Sequence, residues 1–377
     1  MSPYPVLARS FSVAVLLASL VTGAAGQAAR LDVLNNRGEV TPLAGAVISS
    51  ETLDEVRYER AGSGRSESRP TRLVVAVVYG SGGAAYDDAR DALARGDLTN
   101  AVNLFSAASS EKEPGWVAAH ALLGLAEAQA LSGRTNEALA TMDQFLADYP
   151  EHRLVGRALL QAARYASTAG DKARADADVQ KVIGLVNGGK LTADWAARAQ
   201  IEKGQNLLDA GDASGAGTAF TAAQGAARNG LANLGDREDL KPELERLALQ
   251  ARSGQGSALL AGGDLNGART YFDNLMRDGQ DDPAIRAAAL NGKAEADFKD
   301  DGRLKDAQYG FARVAVLGAG SADEHAKALY YLGQCCLALG EAGEEKNGRE
   351  KATQYFKDVE RRYPASRWAR LAREALP

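Results

Sequence analysis

The chain has 377 residues, a net charge of −5, 45% hydrophobic residues and only 6% aromatic ones. That length is ample for a large core and too great for a single ordinary domain. A mildly acidic balance leaves no basic footprint for nucleic acid and excludes a general affinity for phosphate backbones.

Residues 1–26 read as a signal peptide. Arg9 supplies the positive start, Phe11 to Val21 the apolar centre, and Thr22-Gly23-Ala24-Ala25-Gly26 the small residues a peptidase needs. Ala24 and Gly26 place the cut before Gln27, with a cut after Ala28 as the alternative. A retained anchor is the competing reading, but the apolar run falls short of the roughly 20 residues a spanning helix takes. No stable membrane anchor is therefore expected after cleavage. No Cys lies near the cut, so a lipid-modified N-terminus is not expected either.

Residues 27–80 form a small β-rich domain. Leu31 and Val33 alternate with polar neighbours and end at the turn Asn35-Asn36-Arg37-Gly38. Ala46-Val47-Ile48, Val56-Arg57-Tyr58 and Leu73 to Tyr79 read as further strands, with residues 61–68 as a polar loop. Four or five strands in so short a stretch predict a small barrel or curled sheet. A unit this small is marginal alone, so it is expected to dock on the helical region C-terminal to it.

After Gly80-Ser81-Gly82-Gly83 the apolar spacing becomes helical. One pattern then repeats: a glycine, an alanine five residues on, and four beyond that an aromatic, replaced by Met142 and Val179 in the second and third repeats. Gly96 leads to Ala101 and Phe105, Gly133 to Ala138 and Met142, Gly170 to Ala175 and Val179, Gly211 to Ala216 and Phe220. Gly263 leads to Ala268 and Phe272, Gly302 to Ala307 and Phe311, and Gly340, after an insertion, to Ala352 and Phe356. The glycine suits the φ > 0 end of a first helix, and an Asp after it can cap the second. The alanine lets two backbones approach, and the aromatic fills the space between hairpins. The longest step, Gly211 to Gly263, contains a polar stretch and Pro242, which predicts an elbow over 229–242 between lobes at 84–228 and 243–377. The second lobe ends in a cap helix from Trp368 to Leu376.

This spacing resembles the tetratricopeptide repeat family over roughly residues 84–377. Phe145-Leu146-Ala147-Asp148-Tyr149-Pro150 and the stretch Tyr355 to Ser366 resemble the repeat ends of exported envelope proteins. Those include the Tol–Pal coordinator and the outer-membrane assembly lipoprotein with such repeats. The resemblance implies an α-solenoid of about seven helical hairpins behind a small SH3-like or Sm-like all-β domain. It also implies a non-enzymatic scaffold in the periplasm or cell envelope of a Gram-negative-type bacterium, holding protein or peptide partners as a monomer. The second reading is an envelope module that recognises cell-wall polymer or an outer-membrane partner through the β-rich domain.

No chemistry-bearing motif competes with that reading. His120, His152 and His325 fall in different repeats without a nucleophile or carboxylate at recognisable spacing. Cys335 and Cys336 are adjacent; Cys336 reads as a small core residue and Cys335 as half exposed. No catalytic residue, metal or cofactor is expected. Stacked first helices line the concave face of such a solenoid, and the polar positions there give the groove candidates Arg90, Gln129, Arg164, Gln205, Arg252, Lys293 and Gln334.

Overall fold

Alternating apolar residues build the N-terminal unit. In the computed structural model, which describes residues 28–376 apart from 36, 38, 61–63, 113–114, 301, 318–321 and 365, five strands form one antiparallel sheet. The predicted signal peptide, 1–26, lies outside the described residues. The strands are β1 (Ala28–Leu34), β2 (Val40–Glu51), β3 (Glu55–Arg60), β4 (Ser66–Pro70) and β5 (Val74–Val78), in the order β4-β3-β2-β1-β5. Leu31 and Val33 of β1 meet Ala46 and Ile48 of β2 and Val56 and Tyr58 of β3 in the sheet's core. The expected polar loop over 61–68 ends early, because Ser66 to Ser68 enter β4. There Glu67 pairs with Tyr58 and accepts a 2.9 Å hydrogen bond from its hydroxyl. A phenol with a buried ring needs such a partner.

Fifteen α-helices follow among the described residues: α1 (Ala84–Ala94), α2 (Leu98–Ala108), α3 (Val117–Leu131), α4 (Thr135–Asp148), α5 (Val155–Thr168), α6 (Lys172–Asn187), α7 (Asp194–Asp209) and α8 (Ala213–Ala232). After the elbow come α9 (Lys241–Ala261), α10 (Leu265–Asp278), α11 (Pro283–Phe298), α12 (Leu304–Leu317), α13 (Ala322–Glu341), α14 (Gly348–Arg362) and α15 (Arg367–Ala375). Odd-numbered helices are the first members of hairpins, and α15 is the cap. Gly96, Gly133, Gly170, Gly211 and Gly263 have φ between 75° and 87°, as a left-handed helix end requires. Asp97, Asp171, Asp212 and Asp264 each accept from a backbone N–H three residues on and cap the second helix. The seventh turn differs from expectation. α13 runs through Gly340, which packs against Gly348, and the left-handed turn falls at Gly343, with Asn347 also at positive φ.

The repeated aromatic has a defined seat. Phe220 lies between Gly204 of α7 and Gly254 of α9, and Phe272 between Gly256 of α9 and Gly292 of α11. A Cβ on Gly204 would come within 2.7 Å of the Phe220 ring, and one on Gly256 within 2.8 Å of Phe272. Each ring thus touches the first helix of its own hairpin and of the next, which joins neighbouring hairpins into one stack. Cys335 and Cys336 are both buried in the last hairpins, so Cys335 is a core residue and not half exposed. A Cβ on Gly96 would lie 2.7 Å from the Pro364 side chain. The first turn therefore abuts the last repeat, and the row of hairpins curves round on itself.

The sheet docks along the N-terminal ends of successive first helices. The Leu53 amide donates to the Glu151 carbonyl at 2.7 Å, and Thr52 forms an isolated antiparallel bridge with His152 before α5. Lys190, before α7, meets Asp54 at 2.6 Å. The elbow is shorter than the expected 229–242, because α8 runs to Ala232 and α9 starts at Lys241; within it the Arg237 guanidinium holds Asp239 at 2.7 Å and donates to the Arg72 carbonyl. The polar elbow is thus one of the sheet's contacts.

Candidate functional site: a sheet-covered junction and a first-helix cleft

Two places gather polar side chains. The first is the junction between sheet and solenoid. Glu51, the last residue of β2, is buried there; its Oε1 accepts from the Arg153 guanidinium and from the Tyr79 hydroxyl. Its Oε2 faces two imidazoles, with His120 Nε2 at 3.9 Å and His152 Nε2 at 3.8 Å. Both distances exceed a hydrogen bond. Oε2, His120 Nε2 and the Trp116 indole nitrogen are left buried without partners. Tyr79 packs 4.4 Å from Trp116 and 4.6 Å from His120, centroid to centroid. The histidines are therefore not scattered: folding brings His120 and His152 onto one carboxylate. His325 differs; its ring bonds the Ala315 carbonyl at 2.9 Å and the Tyr363 hydroxyl at 2.8 Å, as a satisfied core residue does.

The electrostatics of the junction follow from burial. Burial works to raise the Glu51 carboxyl, but His120, Arg153 and Tyr79 outweigh it and hold the group at about 2. Burial pushes His152 down to about 4 and His120 below its ordinary value. The backbone N–H of Leu154 donates to His152 Nδ1 at 3.2 Å, so the neutral ring carries its proton on Nε2, toward Glu51. Among the described residues no cluster of His, Cys, Asp and Glu is placed to hold a metal ion.

The second place is a cleft of about 390 Å³ lined by α7, α9, α11, α13 and α15. Gln205 and Asp209 of α7 and Gln250, Ser253 and Ser257 of α9 form one side. Across it, Glu295 of α11 meets Lys327 of α13 at 2.8 Å, both half-buried. Burial works to raise Glu295, and the Lys327 ammonium outweighs it and keeps the carboxyl below the usual range. Arg367 of the cap helix lies 4.3 Å over the Trp368 ring at the cleft's end. The short side chains of Ser253 and Ser257 keep the floor of this cleft low between charged rims, while the space over Gly254 is filled by the Phe220 ring.

Of the seven groove candidates, Gln205 lines this cleft and bonds Asp209 at 3.0 Å. Arg90 lines a different cleft, between β5 and the helices α1, α3 and α5, with its guanidinium 5.9 Å over Tyr86. Gln129 is buried and accepts from the Thr141 hydroxyl at 2.8 Å, so it joins two helices of one hairpin and is not a groove residue. Arg164 grips the buried Glu202 at 2.8 and 2.5 Å and ties α5 to α7. Arg252 and Lys293 bridge to Asp278 and Asp273 of α10 at 2.7 and 2.6 Å, and Gln334 donates to the Tyr330 hydroxyl at 3.1 Å. The residues missed, Gln250, Ser253 and Ser257, sit one helical step round α9 from Arg252. Their i, i+3, i+7 polar spacing was visible in the sequence.

Residues 92–163 match the tetratricopeptide repeat family. No curated protein matches the chain. Among solved structures, a tetratricopeptide repeat protein from Parabacteroides merdae is 17% identical, covers 78% of this chain and 96% of its own, and has a TM-score of 0.45. PilF of Pseudomonas aeruginosa is 18% identical over 68% of this chain and 96% of its own, at 0.35. A Rap protein complexed with competence and sporulation factor is 14% identical over 77% of this chain and 75% of its own, at 0.47. The fold assignment rests on the matched repeats and on the hairpins that continue their plan on either side. Residues 92–163 thus carry tetratricopeptide repeats, within a row of helical hairpins of the same plan that is preceded by a small five-stranded antiparallel sheet.

Proposed function

We propose that this protein is an exported, non-enzymatic scaffold of the bacterial cell envelope that holds a protein partner in the cleft lined by α7, α9, α11, α13 and α15. Tetratricopeptide repeats serve protein–protein interaction in general; the compartment and the cleft are the specific parts of the proposal. The observation that carries it is the composition of that cleft: four first helices and the cap helix contribute polar or charged side chains around Ser253 and Ser257 of α9. A low floor between charged rims suits a peptide or a partner helix laid across it. The charged, apolar and small-residue order of residues 1–26 supports export.

Two measurements test this. The intact mass of protein recovered from the cell envelope is expected to begin at or near Gln27; a cytosolic pool starting at Met1 would refute export. Filling the cleft with Ser253→Trp and Ser257→Trp is expected to abolish co-purification of the envelope partner while circular dichroism stays unchanged. Undiminished co-purification would move binding out of the cleft.

A further inference from the structure

The two edges of the sheet are built differently. β4 carries Glu67, Arg69 and Pro70, and charge and proline are the usual protection of an exposed edge. β5, at the opposite edge, reads Val-Val-Ala-Val-Val. It pairs with β1 on one flank and, among the described residues, with no strand on the other. None of its residues is buried, and Val75 and Val78 are 41% and 47% exposed. A register shift leaves Val75 as an extra residue and bends the strand there. Beyond it Ala76, Val77 and Val78 continue in unbroken register against β1.

That unprotected stretch borders a cavity. Val77, Val78 and Tyr79 form one wall of a cleft of about 450 Å³, faced by Tyr86 and Arg90 of α1, Glu127 of α3 and Arg157 of α5. Its charged lining is two arginines against one glutamate. Arg90 lies over the Tyr86 ring and has no carboxylate partner among the described residues. Arg157 sits 3.8 Å from Glu127, both about half exposed. An added strand would lie about 4.8 Å from β5, with its side chains reaching this wall.

We propose that the free flank of Ala76 to Tyr79 is a strand-acceptor site for an extended segment of a partner protein, with acidic side chains that reach Arg90 and Arg157. Main-chain hydrogen bonds to the unpaired flank supply the affinity, and the surplus positive charge selects acidic segments. This site is separate from the α7–α15 cleft and does not depend on the reading given to it.

The test uses the full chain and a fluorescein-labelled peptide of alternating valine and glutamate, ten residues in length. Two further versions carry N-methyl groups on alternate residues, one for each flank of the peptide. The unmodified peptide is expected to bind, to slow amide exchange at residues 76–79, and to lose binding when the flank that faces β5 is methylated. Val78→Glu, and separately Arg90→Glu with Arg157→Glu, should each weaken binding about tenfold or more without loss of helicity, since all three side chains are on the surface. Ser253→Trp with Ser257→Trp should leave it unchanged, which separates this site from the first-helix cleft. Absence of binding at millimolar peptide, equal binding of both methylated versions, or indifference to Val78→Glu would overturn the proposal. So would a concentration-dependent dimer that Val78→Glu dissolves, because the occupant would then be a second copy.

Discussion

The first helices of this solenoid meet their surroundings in two ways. In the N-terminal hairpins the ends of α3 and α5 are covered by the chain's own sheet, through Glu51, Tyr79, His120, His152 and Arg153. From the C-terminal part of α7 onward the corresponding surfaces line a cleft that no other part of the described chain fills. α7 is the boundary: Trp195 near its start faces the sheet, and Gln205 near its end faces the cleft. The hairpins on both sides follow the same glycine–alanine–aromatic plan. What differs lies outside the repeats, in residues 28–79 and in the elbow they touch. A repeat pattern therefore says which face of a solenoid can bind, and the flanking segments decide how much of it is left to do so.

The largest effect should come from breaking the covered half. Arg153→Met removes the cation from a buried carboxylate and leaves Glu51 with only the Tyr79 hydroxyl, at a cost of about 3–5 kcal/mol. Hydrogen exchange should rise across residues 28–79 and the starts of α3 and α5 while α11 to α15 keep their protection. A uniform rise over the whole chain would show that the two halves are not distinct.

Acid should act on the same half. His152 lies at about 4 in the folded protein against an ordinary 6.5, and His120 is lowered too. Between those values the undocked chain binds protons that the docked one refuses, so docking is strongest above 6.5 and weakens as pH falls toward 4. The His152 contribution alone amounts to about 3 kcal/mol. Glu51, at about 2 against 4.5, adds a loss in the same direction once pH drops below 4.5. Trp116 fluorescence, read in a variant lacking the other two tryptophans, should report this transition. A signal flat from pH 7 to 4 would contradict burial of neutral histidines at the junction.

A smaller effect is expected where the halves join. Ala216 is buried against Phe220 and Ala258 in a minor cluster between α8 and α9. Ala216→Leu overpacks it and should cost about 1–3 kcal/mol, seen as a lower melting temperature. An unchanged melting curve would mean the two helices do not cross there. The smallest effect belongs to the cleft surface itself. Gln250→Arg should change stability by no more than about 0.5 kcal/mol, and a larger loss on denaturant unfolding would show that the cleft is part of the core.

Much of this was legible in the sequence because it is local. The Gly-Asp turns, their caps and the alanine and phenylalanine positions depend on neighbours within one hairpin, and the structure has them where the spacing predicts. The Phe272 seat between Gly256 and Gly292 follows from the same repeat. The junction was not legible. Glu51 and Arg153 stand 102 positions apart, and nothing in the repeat spacing tells which first helices the sheet will meet. The groove candidates went astray for a finer reason. One residue along a helix turns the side chain by about 100°, so Arg252 reaches Asp278 while its neighbour Ser253 lines the cleft. Gln129 failed differently, because a polar residue on a first helix can serve its own hairpin, as its bond to Thr141 shows.

The most direct measurement places a photo-crosslinking amino acid in the full-length protein in living cells at three positions: Gln250 in the cleft, His152 under the sheet, and the exposed Tyr309 on α12, a second helix. Adducts with another protein are expected from position 250 and none from 152 or 309. Adducts from 309 with none from 250 would contradict binding in the cleft, because partners would then be held by the second-helix surface and the first-helix cleft would stand empty.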